Sequence, residues 1–270
     1  MPDQRTRRPR GSGNNRGVRT VVVQSYRRHD VPPWIARCLA SVASWAGAHG
    51  HTYRFVGDEM FDLLPPRYRL RTSHHVQMLA DLGRLLLARD LLAEGFDRAI
   101  WLDADLLVTA PDAFAIPTAQ PFYLCREVWV ELEGGVPRVS ERVNNCACSF
   151  TAAATFLPFY IDACQQLVRD TAGALSPLLV GTTFLSALDR VLPLPKLRDV
   201  ALVSPHMLLE LAAGGGPCLE AYRERFASPI RAANLCASFR GLALRDAAGR
   251  PVVLDDACFD RALGALSQYR

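Results

Sequence analysis

The 270-residue chain reads as an α/β protein built on a mixed, mainly parallel sheet flanked by helices. Three observations predict this. A β-branched strand, a helix and a second strand follow one another within about forty residues, which is the βαβ unit of a parallel sheet. A second long helix then leads into a further apolar strand. That strand runs into two acids, Asp103 and Asp105, where a buried strand should carry none.

Residues 18–25 (Val-Arg-Thr-Val-Val-Val-Gln-Ser) form the first expected strand, apolar enough to be buried on both faces. Pro32 and Pro33 open a helix to about Ala46, with Trp34, Ile35, Cys38, Leu39 and Val42 at helical spacing. Residues 51–56 make a second strand. Residues 73–94 carry a clear helical stripe of Val76, Leu79, Leu82, Leu86 and Ala93, with Gly95 as the stop. His74 and His75 open this helix, as capping or solvated groups. The acid-bearing strand starts at about Arg98. Residues 121–125 and 145–151 read as further strands, and Pro158 sits in the first turn of a helix reaching Arg169. From Pro193 onward the chain is richer in Pro and Gly and yields no firm elements. There is no internal repeat.

The net charge of +4 sits at one end. Residues 1–17 hold five arginines against Asp3, a surplus equal to that of the whole chain. We read them as a disordered basic tail and residues 18–270 as one domain, formally neutral, with no case for nucleic-acid binding. The tail has no apolar segment, so it is not a secretory signal. The long uncharged stretches 143–161 and 171–188 are interrupted by Asn, Thr, Gly and Pro. Neither is a membrane span, although peripheral membrane contact stays open. Eight cysteines without zinc-like spacing are expected to be reduced and buried, in a cytoplasmic protein.

On a strand, Asp103 and Asp105 share a face about 6–7 Å apart. Two desolvated carboxylates repel unless a cation joins them, and a hard ion, Mn2+ or Mg2+, suits such oxygen ligands. In open α/β sheets ligands bind at the carboxyl ends of strands, so Gln24, Ser25 and Tyr26 should converge on the same crevice. No Gly-rich nucleotide or phosphate loop is present.

The run Ala80-Asp81-Leu82-Gly83-Arg84, a helix, Gly95 and Ile-Trp-Leu-Asp-Ala-Asp resembles glycosyltransferases of the GT-A fold with a DXD motif. It is similar to their sugar-binding-region and capsular-polysaccharide-type families. Weaker echoes are Val143-Asn144-Asn145 before Leu157-Pro158-Phe159, and Val180-Gly181-Thr182-Thr183 before a helix. The likeness spans about residues 19–240, and its specific part is 78–109. The family's Gly-Gly before the acid-bearing strand is here Glu94-Gly95-Phe96-Asp97-Arg98, and its C-terminal metal-binding His is not evident; Asn234 and His206 are the candidates in its place.

The resemblance implies a GT-A-like, Rossmann-type fold and a metal-dependent transferase. It would move sugar from a nucleoside-diphosphate sugar, UDP-linked by preference, to a glycan, lipid or protein acceptor, as in polysaccharide biosynthesis. Asp103 and Asp105 would hold the ion that offsets charge on the leaving diphosphate. Asp81 and Arg84 would hold the donor, although by itself such a helix-surface pair is worth only about 0.2–0.5 kcal/mol. Gln24, Ser25 and Tyr26 would meet the nucleotide, and Asn144, Asn145, Gly181 and Thr182 the sugars. Glu127, Glu131 and Glu133, on an expected mobile segment, are the candidate bases. A haloacid-dehalogenase-type phosphatase, using Lys196 and Asp255-Asp256, is the alternative enzyme. A non-catalytic nucleotide-sugar-binding protein is the other.

Overall fold

The computed structural model describes residues 17–246 and 249–267. The expected tail, residues 1–17, lies outside them except for Gly17.

The first half follows the expected order. Strand β1 (Thr20–Ser25) leads through helix α1 (Pro33–Ala48) to β2 (Thr52–Val56). A 3-10 turn (Asp58–Leu63) and a short helix α2 (Pro66–Thr72) precede α3 (Val76–Ala93), which returns the chain to β3 (Arg98–Leu102). The 3-10 turn and α2 are too short to leave a periodic signature. Val22 packs with Val42 and Trp45 of α1, whereas Val21 and Val23 pack with Leu82 and Leu85 of α3. Alternation along β1 thus puts α1 and α3 on opposite faces. That is why its apolar run is unbroken.

Next come β4 (Leu106–Val108), β5 (Phe122–Glu133) and β6 (Val136–Thr151), then α4 (Phe156–Asp170). The main sheet has the order β2-β1-β3-β6-β5-β7, where β7 is Lys196–Leu197. Only β6 runs against its neighbours. The β5–β6 hairpin is much longer than the expected strands, and it corrects one expectation. Glu127, Glu131 and Glu133 stand on β5, not on a mobile segment. Gly134 and Gly135, with φ of 59° and 83°, make the two-residue turn. Positive φ at both central positions matches the strand twist, and glycine reaches it without strain.

A π turn (Leu179–Thr183), α5 (Phe184–Val191), β8 (Val200–Leu202), α6 (Pro205–Ala213), α7 (Pro217–Phe226) and β9 (Ala232–Asn234) follow. The hairpin β10 (Ala243–Arg245) and β11 (Pro251–Val253) and the helix α8 (Asp256–Leu266) come last. A second sheet, β4-β9-β8, takes over where β3 leaves the first. Asp103, Ala104 and Asp105 are the link between the two sheets. They form a turn and not a strand, closed by Leu106 N–H donating to Asp103 O at 3.1 Å. The two acids therefore come together through a turn between sheets, not through the pleat.

Seven of the eight cysteines are buried and none is in a disulfide. Among the described residues no helix is long and apolar enough to cross a membrane.

Candidate functional site

The turn at 103–105 forms the floor of a cavity of about 560 Å³. Its wall comes from the end of β1 (Ser25, Tyr26), α3 (Asp81, Arg84), β6 (Asn144, Asn145), the π turn (Gly181, Thr182) and the chain after β9. Residues more than 150 positions apart meet there because β6 runs between β3 and β5, and β9 pairs β4.

Arg84 is the hub of the polar network. Its Nη1 donates to Asn145 O at 2.7 Å and lies 3.1 Å from Asp103 Oδ1, while Nη2 lies 3.4 Å from Asp81 Oδ1. Nε donates to Ala80 O, and the guanidinium carbon sits 5.1 Å from the centre of the Trp101 ring. The Asp81 and Arg84 side chains are only 8% and 6% exposed, so this is not a helix-surface pair. An ion pair out of water needs further hydrogen bonds to be tolerated; Arg84 finds them on Ala80 O and Asn145 O, whereas Asp81 Oδ2 stays open toward the cavity.

Asp81 also accepts from Asn145 Nδ2 at 3.0 Å. That amide donates in addition to Tyr160 Oη, whose hydroxyl donates to Val180 O, so β6, α4 and the π turn are tied together. Gly181 follows at once. A Cβ there would fall 2.8 Å from Asp81 Oδ2, so a side chain at 181 would push either the turn or the acid away. Asn144 serves the other side, donating to Glu127 Oε2 at 2.6 Å and to Thr182 Oγ1 at 3.3 Å.

Asp103 Oδ1 accepts from Trp101 Nε1 at 2.6 Å. Asp105 accepts from Asn234 Nδ2 at 3.0 Å and from Ala237 N–H at 2.6 Å. Burial pushes the Asp105 carboxyl up to about 6, helped by the charge on Asp103. Burial raises Asp81 to about 6 as well, against the pull of Arg84. Asp103 is also raised by burial, with Arg84, Trp101 and Asn234 opposing. Three carboxylates face one guanidinium, which leaves this cluster a formal −2. Desolvation and mutual repulsion both favour adding positive charge.

Among the described residues no three His, Cys, Asp or Glu side chains converge as a metal-ligand set. Asp103 and Asp105 could supply two oxygen donors to a hard divalent ion, the remaining positions going to water and to a bound anion. Mg2+ is commonly held in this way beside phosphates. The donor set and the charge deficit thus fit such an ion. Asn234 stands between the two acids with its nitrogen toward Asp105 and its oxygen accepting from Cys236 N–H at 2.8 Å. In that orientation its nitrogen positions a carboxylate and its oxygen is engaged by the backbone.

Other expected site residues lie elsewhere. Gln24 is buried behind the cavity, where Nε2 donates to Asp103 O and Oε1 accepts from Tyr53. It braces the turn and, fully buried, does not line the cavity. His206 lies on α6 and does not line the cavity. His75 stands just before α3 and makes no side-chain capping bond. Lys196 pairs with Asp189 beside a separate cleft, and Asp255 caps α8. Asp256 takes Arg240 and Trp34. None of the phosphatase candidates reaches Asp103. Glu127 is paired with Arg142 and Asn144 beneath the wall, outside the cavity lining.

Sequence reasoning missed Trp101, Tyr160, Arg27 and Asp58 at or around this site. Trp101 alone left a signal, two residues before Asp103 with an N–H that a buried indole must satisfy.

No family model and no curated protein matches the chain. Among solved structures it is similar to a glycosyltransferase involved in the glycosylation of the major capsid of PBCV-1. That similarity has 12% identity and a TM-score of 0.46, over 80% of this chain and 93% of that chain.

Proposed function

We propose that the protein is a metal-dependent glycosyltransferase that takes sugar from a nucleoside-diphosphate donor, UDP-linked by preference. The observation that carries this reading is the pair Asp103 and Asp105 on the floor of one cavity, within an acidic cluster short of positive charge. A divalent ion bound there, Mn2+ or Mg2+, would offset the negative charge that develops on the departing diphosphate.

The chain's own groups have distinct tasks in this scheme. Tyr26 and Arg27, at the end of β1, offer a ring and a cation to the nucleoside. Asp81 accepts from the hydroxyls of the donor sugar. Arg84 acts by position: its nitrogens are engaged by Ala80, Asp81, Asp103 and Asn145, so it orients both acids. Thr182 and Asn144 border the side from which the acceptor enters. Asn234 and Ala237 N–H hold Asp105 in place before any ligand arrives, so the site need not reorganise during reaction.

A thermal-shift series with UDP and GDP, each with Mn2+, Mg2+ or EDTA, tests the reading. Stabilisation should require nucleotide and metal together. Equal stabilisation in EDTA would remove the metal-bridged site.

A further inference from the structure

Beside the main cavity lies a second cleft of about 380 Å³, and Leu178 and Thr182 line both. The two have opposite charge. The main cavity is lined by Arg27 and Arg84 against Asp58, Asp81, Asp103 and Asp105, two cations against four anions. The cleft is lined by Arg126, Arg142, Arg190 and Lys196 against Glu141 and Asp189, four against two. Thr182 stands on the boundary.

Most of these cations have partners. Arg126 meets Glu141 at 2.5 Å, Lys196 meets Asp189 at 2.5 Å, and Arg142 pairs with Glu127 from beneath. Arg190 does not. It is exposed on α5, and its guanidinium makes no hydrogen bond or ion pair among the described residues. Counting the partners just outside the lining, Glu127 on Arg142 and Arg225 on Glu141, leaves five cations against three anions, and a carboxylate would cancel only half of that surplus of two. A phosphoryl ester, carrying about −1.5 to −2 near neutral pH, matches it. Arginine also binds such a group in a forked geometry. The volume is at the small end for ligand pockets, in the range of about 300–1,000 Å³, which suits a single sugar with its phosphate.

We infer that this cleft binds a phosphorylated saccharide, with Arg190 as its principal unpaired cation. Its role as acceptor rests on the proposed glycosyl transfer; its binding does not. The sugar would lie against Thr182, toward the acidic cavity, and the phosphoryl group would lie on the far side, away from the acid cluster.

Titration calorimetry of the full chain with glucose 1-phosphate and with glucose, both in EDTA, tests the inference without involving metal or donor. The phosphate ester should bind and glucose should not. Arg190→Ala should weaken binding about tenfold, the loss expected for one charge-assisted contact, and Arg190→Lys should restore part of it. Arg190 is exposed and unpaired, so neither change threatens the fold. Flotation with phosphatidylcholine vesicles, with and without phosphatidic acid, separates the sources. Recruitment by phosphatidic acid that is lost in Arg190→Ala assigns a lipid-borne phosphate, and binding of the free ester alone assigns a soluble one. Equal affinity for glucose, unchanged affinity in Arg190→Ala, or no binding would overturn the inference. Absence of nucleotide binding with Mn2+ would instead remove the transferase reading and leave the cleft result standing.

Discussion

Asn234 donates its side-chain amide to Asp105 across 3.0 Å, although 129 positions separate them in the chain. The link is made by backbone pairing. In the antiparallel register of β4 and β9, Leu106 lies opposite Asn234, so the residue before β4 meets the end of β9. Ala237 N–H, three positions later, grips the other carboxylate oxygen at 2.6 Å. The C-terminal part of the chain thereby sets the orientation of an acid contributed by the first half.

Asp105→Asn therefore gives a sharp test. The change is nearly isosteric and removes one of three crowded negative charges. Two effects on the apo fold oppose each other: relief of repulsion with Asp103 stabilises it, while the new amide must turn its NH2 onto either Asn234 Nδ2 or Ala237 N–H, which costs about 1–3 kcal/mol. The Mn2+-dependent shift with nucleotide should disappear. Sugar transfer should fall at least about 100-fold, as for loss of a main charge-stabilising group. Full activity in this variant would sink the mechanism.

The raised carboxyls also predict a pH dependence. Asp81 and Asp105 stand near 6 in the folded chain against an ordinary 3.8. Between those values the folded state holds more protons than the unfolded state. Apo stability contributed by these groups is complete below about 4 and is lost as pH rises through about 6. Paired acids nearer the surface, such as Glu94 and the half-buried Asp256, are lowered and act in the opposite sense at lower pH. The clean readout is thus a difference. Denaturant melts of wild type and Asp105→Asn should diverge between pH 4 and 7, with the variant losing less as pH rises. Mn2+ binding, which needs the ionised acids, should strengthen over the same interval.

Local pattern explains how much of this arrangement could be read in advance. The strand of Val21 to Val23, the Pro33 helix start and the stripe along α3 are short-range signals, and each falls within a few residues of its expected place. The Asp103–Asp105 pair was legible because two acids interrupt an apolar run. Its geometry was not, since a turn between two sheets depends on β9, far downstream. Gln24 was misplaced for a similar reason. Its position at a strand end marks the crevice, but its two hydrogen bonds go to Tyr53 and to the Asp103 backbone behind the wall. The length of β5 and β6 was signalled by Gly134-Gly135, a two-residue hairpin turn that composition alone reads as a loose loop. Elements after Pro193 are mostly short strands and two-to-three-turn helices whose formation rests on tertiary pairing.

Arg84 should be among the least replaceable residues of the chain. Arg84→Gln leaves Asp81 and Asp103 buried without their counter-charge. Breaking a buried pair in this way costs about 3–5 kcal/mol. Urea denaturation should show that loss at pH 7.5 and a smaller one at pH 5, where the raised acids take up protons. Adding Asp81→Asn to Arg84→Gln should recover part of it. A loss independent of pH would mean that Arg84 matters through packing against Trp101 instead.

Gly181 offers the most specific test of how the π turn meets α3. Its backbone angles, φ −91° and ψ −113°, are not helical, and they swing the turn onto Asp81. In Gly181→Ala the added methyl would lie 2.8 Å from Asp81 Oδ2, so either the turn or the acid must retreat. Overpacking of this kind costs about 1–3 kcal/mol. If the acid yields, Asp81 loses its alignment with Asn145 and Arg84, and KM for the donor should rise; if the turn yields instead, KM should stay near the wild-type value while the melting temperature falls. Asp81→Ala removes the atom that the methyl strikes. The double variant should therefore be no less stable than Asp81→Ala alone, giving a coupling of about 1 kcal/mol or more between contacting sites. Strict additivity in that cycle would show that the turn tolerates a side chain at 181 and that its approach to Asp81 does not depend on glycine.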